Sequence, residues 1–158
     1  LTHLPDASLA VFLLAGFLLP WLAFPALLLV AGLADYTAIN VANVSDYCFT
    51  PAYWLLIPTY ALLWFAGNFY RQSHQATLSS LSRFALISLA AVSGAFVMSN
   101  LSFYLFAGYF TQMNAATYTA SVAQYYLPYL ISATLYLAPA CAAYALFIHT
   151  TQRASATQ

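Results

Sequence analysis

The side chain with the most chemistry to offer is Cys48, in the run Asp46-Tyr47-Cys48-Phe49-Thr50-Pro51. A thiolate is a soft donor to transition metals, whereas an ordinary cysteine is a small apolar side chain packed in a core. The second cysteine, Cys141, sits in the Ala-rich stretch 138–145 and is read in the ordinary way. Cys48 lies in a connecting segment, where an unpaired thiol on an oxidising face has to be protected or used, so both readings stand for it. Asp35 closes an apolar run. An ionisable group there is either a functional group or a helix-end carboxylate capping a loop. His3 is a ligand or a solvated terminal residue.

The elements that must position these groups follow from composition. Of 158 residues, 64% are hydrophobic and only 4% are charged. The charges are Arg71, Arg83, Arg153, Asp6, Asp35 and Asp46, with no Lys or Glu. A soluble domain carries about 25% charged residues, so lipid is the expected solvent and the chain is read as an all-α membrane protein. Without Lys there is no Walker A nucleotide site and no Schiff-base chemistry. Three Arg make no nucleic-acid footprint. Cys48 and Cys141 are too far apart in sequence for a CxxC pair.

Hydropathy predicts five spans, over 7–19, 22–39, 52–70, 83–110 and 125–149, with a polar interfacial loop or short helix over 111–124. Pro58 predicts a kink in the third span. Because residue 1 is Leu, a further span upstream is expected, giving a bundle of about six helices and one domain over 1–158. Alternating spans put all three Arg on one side and all three Asp on the other, and the positive side is cytoplasmic by the positive-inside rule. The C-terminus is then cytoplasmic and the acids face outward.

That outer face also gathers Tyr47, Tyr53, Asn100, Tyr104 and Tyr109. Interfacial tyrosines ordinarily anchor a protein in the headgroups. A belt does not account for carboxylates, His3 and Cys48 on the same face, and an aromatic-lined concavity with a few polar groups suits a small-molecule site. His74 and His149 fall at the opposite end, which weakens a bis-histidine haem site.

The runs His3-Leu4-Pro5-Asp6, Ala31-Gly32-Leu33-Ala34-Asp35-Tyr36 and Tyr47-Cys48-Phe49-Thr50-Pro51-Ala52-Tyr53 together resemble the cobalamin-specific, solitary branch of the S-components of energy-coupling-factor (ECF) transporters. The motifs cover roughly the first third of the chain. The resemblance implies a six-helix protein of the bacterial inner membrane that captures cobalamin on the outer face and moves it inward. It implies Cys48 as the cobalt ligand, with Asp35 and Tyr53 beside it and His3 as a further neighbour; Tyr47, Asn100 and Tyr104 complete the candidate ligand-binding set. Sulfur donation would weaken the opposite axial bond, so bound cyanocobalamin is expected to lose its cyanide, with Cys48 as the group responsible. An ECF ATPase and transmembrane module is an optional partner, since members of this branch are described as working without one. The small-residue docking helix of the family is not in this sequence. The alternatives are an S-component for another vitamin and a haem-binding membrane anchor subunit.

Overall fold

The computed structural model describes residues 6–41, 45–47, 49–75 and 77–156. The described chain is helical throughout, without strands: α1 Ser8–Leu18, α2 Ala23–Asn40, α3 Leu56–Gln72, α4 Leu78–Phe106, α5 Ala115–Ala123 and α6 Tyr126–Ala156, with a 3₁₀ turn over Pro51–Leu55 ahead of α3. It is an all-α membrane protein. Three segments have the length and apolarity to cross a bilayer: Ala23–Asn40, Ser79–Phe106 and Tyr126–Phe147. At 1.5 Å per residue the 11 residues of α1 rise about 16 Å and the 17 of α3 about 25 Å, both short of a hydrocarbon core of about 30 Å.

Local chemistry sets the helix ends. Leu19 is extended (φ −110°, ψ 155°), as a residue before proline tends to be, so Pro20 stops α1. Pro25 occupies the third position of α2, where its missing N–H breaks no helical bond. Thr50 caps the 3₁₀ turn, its hydroxyl accepting from the Ala52 amide at 3.3 Å. Pro58 is the third residue of α3. The helix therefore opens at Leu56 instead of kinking at Pro58, and the bend expected inside the span becomes the junction of a 3₁₀ turn with an α-helix. Tyr53 lies ahead of α3, not within it. Similarly α4 starts five residues before Arg83, because the Thr77 hydroxyl accepts from the Ser80 amide at 3.2 Å and caps a polar first turn that hydropathy misses. The short helix expected within 111–124 is α5, capped by Asn114 at its Thr117 amide, 2.8 Å.

The centre of the bundle is the pair α1 and α3. A Cβ added at Gly16 would run into the Trp64 backbone carbonyl, and one at Gly67 into that of Leu13. The two backbones touch, with Leu13 and Leu63 fully buried around the crossing. On one flank α4 adds Val92 and Ala95, and α6 adds Ala133 and Leu137. On the other, α2 is anchored through Phe24, whose ring meets Phe12 and Trp64 edge-on at 5.8 and 5.4 Å. Elsewhere α2 faces outward with Leu29, Val30 and Leu33, as α4 does with Leu86 and Val97. Helices apolar on every side belong in lipid.

Antiparallel alternation gives the bundle two chemically different ends. At one, Arg71 reaches the open carbonyl of Leu19 at 3.3 Å, and His74 joins Tyr70 (2.8 Å) to Tyr144 (2.9 Å). At the other, the start of α1, the end of α2, the 3₁₀ turn and the last third of α4 diverge around a cavity.

Candidate functional site

The cavity has a volume of about 510 Å³. Its walls are set by where four helices end. Asp6 and Ser8 come from the entry to α1, and Asp35, Ala38 and Ile39 from the last turns of α2. The connection between α2 and α3 supplies Ser45, Phe49, Ala52 and Tyr53, and α3 itself supplies Leu56 and Tyr60. Opposite them stand Ser99, Asn100, Ser102 and Phe103 of α4. Spacings of three and four put Ser99, Ser102 and Phe103 on one helix face. These serines stand in an otherwise apolar helix, and they become informative only once that helix has a cavity on one side.

Asp35 and Tyr53, 18 residues apart, meet at this wall. The Tyr53 hydroxyl donates to Oδ2 of Asp35 at 2.8 Å. Burial, and after it the bond to and charge of Asp35, push the Tyr53 phenol up to about 12. It therefore keeps its proton and remains a donor to the carboxylate. Asp6 is placed differently: its Oδ1 accepts the Ser8 amide at 2.9 Å, a carboxylate at the positive end of α1. In the floor, the Tyr60 ring stacks on Phe12 at 4.2 Å, almost parallel at 4°. Two of the three acids in the chain thus face one cavity, with hydroxyls and an amide on the facing wall.

The other candidates divide. Asn100 lines the cavity, with its Nδ2 donating to the Phe96 carbonyl at 2.8 Å. Tyr47 stands one ring back, edge-on to the wall residue Phe103 at 5.7 Å. Tyr104 does not line it: its hydroxyl donates to the Met113 carbonyl at 2.8 Å, and its ring packs on Tyr118 at 4.8 Å. It clamps the segment between α4 and α5. Burial, and next the Tyr47 phenol, push Tyr118 up. Cys48 and His3 lie outside the described residues, as does the side chain of His149. The neighbours of Cys48 on both sides are described: Phe49 lines the wall with its ring 4.8 Å from Tyr53, and its amide donates to the Asp46 carbonyl at 2.7 Å. Cys141 packs against the core from α6.

Chemically, the lining suits contact with a small molecule. It offers carboxylate and hydroxyl acceptors for amide or hydroxyl donors of a ligand, aromatic faces for a flat one, and an apolar floor. No protein-family model matches the chain, and no curated protein matches it at a significant level.

Proposed function

We propose that the protein is a cobalamin-capturing S-component of the bacterial inner membrane, which binds the vitamin at its outer face and carries it inward. The observation that supports this best is the Tyr53–Asp35 bond of 2.8 Å at the cavity wall. These are the two residues the resemblance sets beside the metal-binding thiol, and Cys48 falls between them in sequence, with its neighbour Phe49 in the same wall. The cavity volume lies within the range of about 300–1,000 Å³ usual for small-molecule sites. A corrinoid is too large to be enclosed by it and would sit edge-in, part of its rim held in the outer loops.

In this reading the Cys48 thiolate takes the lower axial position of cobalt in place of the vitamin's own base. Asp35, held by Tyr53, is the nearby acceptor for the thiol proton or for a corrin amide N–H. Phe49 and Phe103 give the ring apolar cover, and Ser99, Asn100 and Ser102 meet its amide-rich rim. Cyanide loss balances without a redox partner: sulfur supplies an electron pair to cobalt, and cyanide leaves with its own bonding pair. The arginine-bearing end of the bundle would be cytoplasmic, together with the C-terminus. An ECF ATPase and transmembrane module is an optional partner.

The decisive experiment compares the absorption spectrum of cobalamin bound to the parent and to Cys48→Ser. The parent is expected to show a base-off, thiolate-ligated spectrum that the variant lacks. Identical spectra would remove Cys48 from the cobalt. A parent that purifies without corrinoid from supplemented medium would turn the assignment toward another vitamin.

A further inference from the structure

The end of the bundle away from the cavity carries a charge that the proposed function leaves unused. Arg71, exposed in the last turn of α3, donates from Nη1 to the Leu19 carbonyl at 3.3 Å and from Nη2 to Oδ1 of Asn68 at 2.8 Å. Both acceptors are neutral. The acids Asp6, Asp35 and Asp46 all stand at the cavity end, so among the described residues no carboxylate answers this guanidinium. Its remaining N–H donors have the fork geometry that suits a phosphate. An apolar cleft begins beside it, lined by Trp21, Phe24, Ala61, Trp64 and Phe65. Phe24 and Trp64 are buried and make the floor, their rings 5.4 Å apart, while Trp21 and Phe65 are 65% and 60% exposed and make the rims. Two links join cleft and cation. Trp21 follows Leu19, whose carbonyl Arg71 holds, by two residues. On α3, spacings of three and four carry one face from Ala61 through Trp64, Phe65 and Asn68 to Arg71.

We propose that Arg71 and this cleft form a binding site for an anionic phospholipid, with the phosphodiester at the guanidinium and one acyl chain in the cleft. Depth supports it. Trp21 stands just ahead of the membrane-spanning segment Ala23–Asn40, at the headgroup level where tryptophan is favoured. From Arg71 to Ala61 the helix rises about 15 Å, half of a hydrocarbon core of about 30 Å, so the charged and apolar parts of the face match the head and chain of one leaflet's lipid. At about 20 Å³ the cleft is a crease that takes a stretch of one hydrocarbon chain, not a helix about 10 Å across. Charge sets the class of headgroup. A phosphate finds the guanidinium, whereas the ammonium of phosphatidylethanolamine finds no carboxylate at this end, so phosphatidylglycerol is the better fit. The site shares no residue with the cavity, and it stands whether or not the chain binds cobalamin.

Native mass spectrometry of the full chain in detergent, titrated with phosphatidylglycerol or phosphatidylethanolamine of the same acyl chains, tests the site. The parent should bind phosphatidylglycerol about tenfold more tightly. Arg71→Gln should bring the two lipids level, whereas Arg83→Gln, at the same end but on α4, should leave the preference intact. Arg71→Lys keeps the charge without the fork and should retain a preference of about threefold. Phe65→Ala should weaken both lipids alike, because both bring chains to the cleft. Equal affinity of the parent for the two lipids overturns the proposal, as does a full preference in folded Arg71→Gln. Should that variant not fold, Phe65→Ala decides, and an unchanged phosphatidylglycerol affinity there overturns it. Deacylated glycerophosphoglycerol should not bind at the same concentrations; binding as tight as the lipid's would make this a site for a soluble phosphate ester and refute the lipid. A dimeric parent with a monomeric Phe65→Ala would give the cleft to a second copy of the chain, with the same consequence.

Discussion

A phenol bonded to a carboxylate at a cavity rim makes each group the other's partner, so removing either exposes the same loss. Tyr53→Phe leaves the Asp35 oxygen without its donor, and Asp35→Asn weakens the acceptor. Each should destabilise the folded protein by about 1 kcal/mol, the net worth of such a bond. The double variant should fall well short of the sum, because the two share one interaction. Thermal unfolding in detergent measures all three, and strict additivity would mean that the bond contributes nothing. The raised phenol pKa adds a pH signature. Folding favours the protonated form, so this contribution is full below the unfolded value of about 10 and is lost as pH rises through about 12. The parent should lose stability over that window relative to Tyr53→Phe, and ionisation of Tyr53 should add no pH dependence to binding near neutral pH. Asp35 and Tyr53 were legible in the sequence because they frame a motif. Ser99, Ser102 and Tyr60 were not, because a serine or tyrosine in an apolar helix has no sign of direction until a neighbour gives the helix a face. Tyr104 shows the converse: the correct end of the correct helix still turned it toward α5.

Among the helices, the α1–α3 crossing is the contact with least tolerance. Gly16→Ala or Gly67→Ala would set a methyl against backbone, which has no rotamer by which to retreat. Overpacking of this kind costs about 1–3 kcal/mol, and the helices have to separate to relieve it. Gly32→Ala is the matched control, because nothing lies within 4 Å of its added Cβ; its gain in helix propensity should make it neutral or slightly stabilising. Melting of the purified variants should place Gly16 and Gly67 well below Gly32, and equal melting temperatures would dissolve the idea of a fixed central pair. Hydropathy placed five helices in the right order, with most ends within five residues of those observed and the last helix running seven residues past its expected end to Ala156, since a lipid-facing stretch has to be apolar along its whole length. It failed where hydrogen bonding rather than hydropathy sets the boundary: at the Thr77 cap, which lengthens α4, and at the Thr50 cap, which makes Pro51–Leu55 a separate turn. The glycine contact escaped it because Ala15-Gly16 and Ala66-Gly67 become informative only once the two helices are known to cross.

Taken whole, the molecule is polarised, and its polarity decides what the cavity can be for. Asp6 and Asp35 face the cavity and Asp46 lies exposed in the loop beside it, whereas Arg71 binds the Leu19 carbonyl at the opposite end. With a formal net charge of zero, the chain has a separation of charge, not an excess, and that separation governs insertion. Under the proposed function the arginine-bearing end is the cytoplasmic one, which would leave the cavity open to the outside, as capture requires. Single-cysteine proteins test this directly. Asp46→Cys and Gln75→Cys, each built on Cys48→Ser with Cys141→Ala, put one thiol on an exposed residue at each end of the bundle. A membrane-impermeant maleimide added to intact spheroplasts should label the first and spare the second until the membrane is opened. The reverse pattern would face the cavity to the cytoplasm, and with it a site that meets its ligand only after uptake, so the capture function would fall even though every contact inside the bundle remained as described.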